Sequence, residues 1–212
     1  MNIFDNISES EKHLLYKCVK AVLKHYKKGE IVFCADENID SICYVIEGNI
    51  ELTKNDYDGN EILLTRIGNG ETFAETFVCA GTKSIVQAKS IDDTKILFLN
   101  FNNILNICSQ NCIFHKKLLE NLISIIAQKN LFLQDRLEMF SHKTLKERIL
   151  YLLTKYKSAD NSVFEIPYTR EQMAKYLGVN RSALSRELSK LKSEKLLDFH
   201  KNSFKLFVKK TS

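Results

Sequence analysis

Six of the seven glycines (Gly29, Gly48, Gly59, Gly68, Gly70 and Gly81) fall within positions 29–81, and residues 111–140 contain neither glycine nor proline. That partition imposes two regimes on one chain. Glycine supplies the unusual backbone angles of tight turns, whereas its absence over a long stretch permits an unbroken helix. Between the glycines lie β-type segments at 31–34, 41–46, 49–53, 62–67, 84–88 and 94–99, and Asp58-Gly59 between two of them signals a hairpin. Short strands with turn residues every 8–12 positions or so predict a sandwich or barrel.

After residue 110 the apolar period changes. Leu118, Leu119, Leu122, Ile125, Ile126, Leu133, Leu137 and Phe140 recur at helical spacing and predict a helix roughly 45 Å long. A helix of that length with an apolar stripe calls for a partner helix. Dimerisation is therefore expected through Leu118, Leu122, Ile125, Ile126, Leu133 and Leu137, although Lys129 interrupts strict heptads. Packing against its own domain is the plainer alternative. A break at 141–144 precedes a second helix at 145–157, a polar loop at 158–162 and a short strand at 164–166 before Pro167.

Charge is unevenly placed. Residues 143–212 hold 16 Lys and Arg against 7 Asp and Glu, a balance of +9, while the preceding 142 residues hold 15 against 19, or −4. A basic end on an acidic body suits contact with a polyanion. The N-terminal MNIFDNISESEK lacks the basic-then-apolar order of a secretory signal, and no run approaches the roughly 18 apolar residues of a membrane span. A cytoplasmic protein without membrane contact is expected. Its six cysteines (18, 34, 43, 79, 108 and 112) then read as free thiols, with no C-x-x-C pair. Cys108 and Cys112 are four apart, and a thiol switch there is a candidate.

The segment 168–191 reads YTREQMAKYLGVNRSALSRELSKL. Thr169 with Gln172 forms a capping box, and Met173, Ala174 and Leu177 give the helix an inner face. Gly178 suits a left-handed terminus, and Asn180 caps the next helix, whose apolar stripe is Leu184, Leu188 and Leu191. Two helices joined by a short glycine-bearing turn form a helix-turn-helix. On the outer side of the second helix stand Arg181, Ser182, Ser185, Arg186 and Ser189, a mixture suited to base edges in a major groove. Lys190, Lys192 and Lys195 suit phosphates. Thr169, Arg170, Asn180 and Lys201 complete the candidate DNA-binding set. Runs at 196–199 and 204–208 around Lys201-Asn202-Ser203 read as a wing hairpin.

With these residues in place, the chain resembles the cyclic-AMP receptor / fumarate-nitrate regulator (Crp/Fnr) family from about Phe4 to Phe207. The resemblance rests on KKGEIVF (27–33), YVIEGNIEL (44–52), GNGETFAET (68–76) and the helix-turn-helix. It implies an α+β fold: a β-roll (double-stranded β-helix) sensor domain at 1–110, a dimerisation helix at 111–142 and a winged helix-turn-helix at 143–212. It also implies a homodimer on a two-fold double-stranded DNA site with half-sites about 34 Å apart, and RNA polymerase as a partner if the regulator activates. Arg181 and Arg186 match the family's two recognition arginines, and Ser185 matches a serine of the fumarate-nitrate branch. Ser182 stands where many members have a glutamate.

For the effector, the resemblance matches Glu75 to the glutamate of the cyclic-AMP cassette. The cassette's arginine has no counterpart; Thr82, Lys83 and Ser84 are nearest, and a lysine meets a cyclic phosphate only as a point charge. The Thr-Ser pair that contacts adenine is absent from 129–140. Cyclic AMP is therefore not expected, and Glu75 reads as a turn or capping residue. The N-terminal cysteine cluster of the iron–sulfur branch is missing, since only Cys18 precedes Cys34. Haem stays open, because His13, His25, His115, His142, His200 and Cys79 offer potential axial ligands, though each reads first as a surface or core residue. No H-x-H and no nucleophile–base set occurs, so neither an enzyme nor a metal site is expected. The competing reading is a ligand-binding β-barrel regulator without DNA-binding activity.

Overall fold

The computed structural model describes residues 2–106, 113–157 and 162–207, so Cys108 and Cys112 lie outside the described residues. The chain divides into two compact units, Met1–Asn130 and Leu131–Ser212.

The first unit opens with α1 (Glu9–Cys18), started by a Ser8–Glu11 capping box. Eight strands follow: β1 (Val22–Tyr26), β2 (Ile31–Phe33), β3 (Ser41–Glu47), β4 (Ile50–Asn55), β5 (Glu61–Ile67), β6 (Thr72–Phe73), β7 (Gln87–Ser90) and β8 (Thr94–Asn100). A short helix, α2 (Glu75–Ala80), lies between β6 and β7, and α3 (Phe101–Leu105) follows β8. The strands form two antiparallel sheets in the orders β1-β8-β3-β6 and β2-β7-β4-β5. Ile42, Val45, Ile50, Phe73, Ile96 and Leu99 are fully buried between them, and Phe33 stacks on Phe73 with ring centroids 6.0 Å apart. The β3–β4 turn needs Gly48: its φ is +93°, and a Cβ there would come within 2.7 Å of Asp93 O.

The strand expected at 84–88 instead begins at Gln87. Ser84 is folded into a local turn, its Oγ donating to Val86 O and accepting from Val86 N, which removes those groups from a ladder. β1 escaped the pattern reading because Val22, Leu23, Lys24 and His25 are all exposed, so polarity does not alternate along it.

The long helix α4 runs Ile113–Ser141. In the first unit it turns Leu118, Leu122 and Ile125 into the roll's own core. Asn121 is buried beside them and donates to Ile3 O and Asp5 O, pinning the N-terminal turn to the helix. Half of the expected dimer stripe is thus internal to the protomer, whereas Ile126, Leu133 and Leu137 are exposed. Lys129 points to its own roll.

The second unit contains the end of α4, then α5 (Leu145–Tyr156), β9 (Phe164–Glu165), α6 (Arg170–Leu177), α7 (Arg181–Ser193), β10 (Leu197–His200) and β11 (Ser203–Leu206). The three strands form one antiparallel sheet, β10-β11-β9. Leu152, Leu153, Met173, Leu177, Leu184, Leu188 and Phe204 form its core. Among the described residues no helix is long and apolar enough to cross a membrane.

Candidate nucleic-acid interface

The two helices of the motif form for local reasons. Thr169 Oγ1 accepts from the Gln172 amide while the Gln172 side chain accepts from Thr169 N, a complete capping box for α6. α6 ends at Gly178 with φ +71°, the left-handed terminus expected from its sequence. Asn180 Oδ1 then accepts from Ala183 N at 2.7 Å and starts α7. Ala174 is buried and its carbonyl accepts from Val179 N, so a small residue lies where the chain turns tightly between the helices.

Gly178 is also packed against Phe140, whose Cε1 and Cζ would lie 3.1 and 3.3 Å from an added Cβ. Gly178→Ala is therefore expected to destabilise the second unit by about 1–2 kcal/mol through left-handed strain and crowding. Urea unfolding followed by circular dichroism measures this, and an unchanged midpoint would contradict it.

α7 separates its faces cleanly. Leu184, Leu188 and Leu191 are buried, whereas Arg181, Ser182, Ser185, Arg186, Ser189 and Lys190 are exposed. Ser185 Oγ donates to Arg181 O and Ser189 Oγ to Ser185 O, at 2.9 and 3.0 Å, leaving their lone pairs outward as acceptors. Among the described residues neither Arg181 nor Arg186 has an ion-pair partner or a side-chain hydrogen bond. Their guanidinium forks remain available for a bidentate acceptor.

Other candidates are already engaged. Arg170 lies over the rings of Phe199 and Phe204, 4.9 and 5.0 Å from their centroids, and donates to Lys201 O at 2.9 Å. It ties α6 to the wing, and burial lowers its pKa. Arg170→Ala should cost about 1–2 kcal/mol of stability in the second unit, from a cation–π contact and a charge-assisted hydrogen bond. Thermal unfolding measures it; a variant as stable as the parent but defective on DNA would return Arg170 to the contact set. Lys192 pairs with Asp198 at 2.5 Å, which depresses the Asp198 carboxyl, so this lysine is less free for phosphate than expected. The oxygen of Asn180 is occupied by the cap, while Thr169 and the side chain of Lys201 are exposed at the motif's edge.

Sequence spacing did not single out the groups that seat this motif on α4. Asp135 accepts from Tyr151 OH at 2.8 Å and Tyr176 OH at 2.6 Å, and pairs with Lys155. Arg136 donates to Tyr176 O and lies over the rings of Phe140 and Tyr176. Residues 135–140 read DRLEMF, and nothing in that local pattern signals partners at Tyr151, Lys155 and Tyr176.

In the first unit, Glu75 begins α2 directly after Ala74, whose φ is +69°. It is more than a turn residue, because its carboxylate is buried and paired with Lys129 at 2.8 Å. Thr82 and Lys83 are exposed, and Ser84 is buried with its hydroxyl held by Val86. No described arginine is found in this cassette. Cys43 is buried, and both burial and the nearby Glu75 charge raise its thiol pKa. His115 is buried with neither ring nitrogen hydrogen-bonded among the described residues. Cys79 is exposed, and no group of three or more His, Cys, Asp or Glu residues gathers into a metal site among the described residues.

Residues 23–111 match the cyclic nucleotide-binding domain family, and residues 147–209 match the Crp-like helix-turn-helix domain family. The chain belongs to the Crp/Fnr family. Its members are transcription regulators that bind DNA, not enzymes. This Crp/Fnr chain is 23% identical to the cyclic AMP receptor protein of Thermus thermophilus over 170 residues, 80% of this chain and 76% of that one. The crystal structure of the Thermus thermophilus catabolite activator protein shares its fold, with a TM-score of 0.57 at 20% identity, covering 96% of this chain and 92% of that one. The c-di-GMP responsive global regulator CLP of Xanthomonas campestris also superposes, with a TM-score of 0.53 at 15% identity, covering 93% and 99%.

Proposed function

We propose that this Crp/Fnr chain is a homodimer that reads a two-fold DNA site with α7 and answers to a signal other than cyclic AMP at its β-roll. The observation that carries the DNA reading is the pair of unpartnered, outward arginines, Arg181 and Arg186, on a helix whose opposite face is buried. Ser182, Ser185 and Ser189 add acceptors between them. Thr169, Lys190 and Lys201 border the same motif and suit phosphates.

The exposed side of α4 supports the dimer. Ile123, Ile126, Asn130, Leu133 and Leu137 follow one another in alternating steps of three and four, the spacing of a two-stranded seam. Ile123, Ile126, Leu133 and Leu137 are 65%, 36%, 60% and 72% exposed in the protomer. Asn130 lies at an a-type position, where a single polar residue sets strand number and register. Lys129, which had seemed to break the heptads, is one residue off this seam.

The effector reading follows from the cassette. Glu75 is held by Lys129, and the cassette's arginine has no counterpart, the exposed Lys83 being only one of the residues nearest its place. The names of two relatives state different effectors, cyclic AMP for the Thermus thermophilus receptor and c-di-GMP for the Xanthomonas campestris regulator. The fold therefore does not dictate the ligand. Selection of bound duplexes from a random pool tests the proposal: a palindromic site with half-sites about 34 Å apart is expected. Enrichment of no sequence, or of a single unrepeated half-site, would count against it.

A further inference from the structure

Lys129 is the lysine inside the apolar run of α4, and its partners lie far away in sequence. Its Nζ donates to Glu75 Oε1 at 2.8 Å and to Thr72 O at 2.9 Å, spanning 54 and 57 residues. One ammonium thus clasps the start of β6 and the start of α2 to the long helix. Glu75 is only 3% exposed, and a carboxylate buried to that degree is unfavourable without a cation beside it. Its other oxygen, Oε2, is buried with no hydrogen-bond partner among the described residues. Without Lys129 the carboxylate would keep only the Thr76 hydroxyl, 3.4 Å from Oε1, and no cation. The dependence is one-sided, since the Lys129 side chain is 44% exposed and can turn to water if Glu75 loses its charge.

We propose that Lys129 is a built-in counter-ion of the effector cassette. It occupies the acceptor that the resemblance assigns to a ligand and fastens residues 72–80 to the long helix. The chain itself then sets the helix position, and cyclic AMP is not needed for it. A ligand entering at Glu75 must displace a charge-assisted pair, which a neutral hydroxyl replaces poorly. The consequence for DNA rests on the reading of the chain as a DNA-binding regulator; the clasp itself does not.

The test uses the full chain as parent, K129M, E75Q and K129M/E75Q, with two readouts: amide hydrogen exchange in 72–80, and affinity for a duplex selected from a random pool with and without 1 mM cyclic AMP. K129M is expected to speed exchange by about tenfold or more and to change affinity by about fivefold or more. E75Q should do less. The double variant should return towards the parent, because no buried charge is then left unpaired. Cyclic AMP should move the parent's affinity by no more than about twofold. The proposal is overturned if K129M behaves as the parent, if the double variant is worse than both single ones, or if cyclic AMP raises the parent's affinity about tenfold. Should the parent bind no duplex, the DNA reading fails while the exchange comparison still decides the clasp.

Discussion

Arg181→Ala is expected to weaken binding to the selected duplex by about 1–3 kcal/mol per half-site, roughly 5- to 150-fold, and to relax the preference at one base position. The expectation comes from geometry and from isolation. Arg181 opens α7 at its N-terminal end, the end that enters a major groove in this motif, and its side chain is exposed with no intramolecular partner among the described residues. A planar fork in that position matches the paired acceptors of a guanine edge. Stability should change by less than about 0.5 kcal/mol, since no contact is lost within the protein. Lys190→Ala is the informative control. A phosphate contact should weaken all sequences alike and lower the salt slope by about one, leaving the preferred site unaltered. Fluorescence anisotropy on matched and singly mismatched duplexes separates the two. If Arg181→Ala leaves both affinity and preference intact, α7 does not read bases through this residue.

Leu137→Glu should separate the protomers without unfolding them. Burying the four seam side chains of each protomer, scaled by their exposure, stabilises association by roughly 7–14 kcal/mol in total. Association itself costs about 4–15 kcal/mol in lost freedom. The balance is narrow, so two glutamates facing each other across the seam should shift it to monomers at micromolar concentration. A monomer engages one half-site and loses the gain from linking two, about 10²- to 10⁴-fold. Because Leu137 is 72% exposed in the protomer, the variant's circular dichroism spectrum should match the parent's. Analytical ultracentrifugation and operator titration read the two effects. A variant that remains dimeric, or a parent that is monomeric, would refute α4 as the seam.

The helix-turn-helix was legible because its devices are local. A cap and its reciprocal partner lie three residues apart, a left-handed terminus needs one glycine, and an apolar stripe repeats within the same helix. The strands from 41 to 67 were legible for the same reason, being short apolar runs bounded by turn residues. Less was readable where a side chain's role depends on distant chain. Arg170 looked like a DNA contact in its own segment, yet Phe199 and Phe204 arrive from the wing and hold it. Lys192 met Asp198 in the same way. β1 carries no alternation because it lies exposed beside β8, and α1 went unread although Ser8 and Glu11 spelled its cap.

By itself the sequence determined the order of the parts and the candidate recognition surface: a glycine-punctuated β region, an unbroken helix, and two capped helices with arginines on the outer side. Turn angles, caps and helical period are properties of neighbouring residues and need no fold to be read. Tertiary structure decided how α4 divides its apolar residues, with Leu118, Leu122 and Ile125 inward and Ile123, Ile126, Leu133 and Leu137 outward. It also decided that Lys129 meets Glu75. A one-dimensional pattern records only that a position is apolar or charged. Which surface it faces depends on chain that returns from more than fifty residues away.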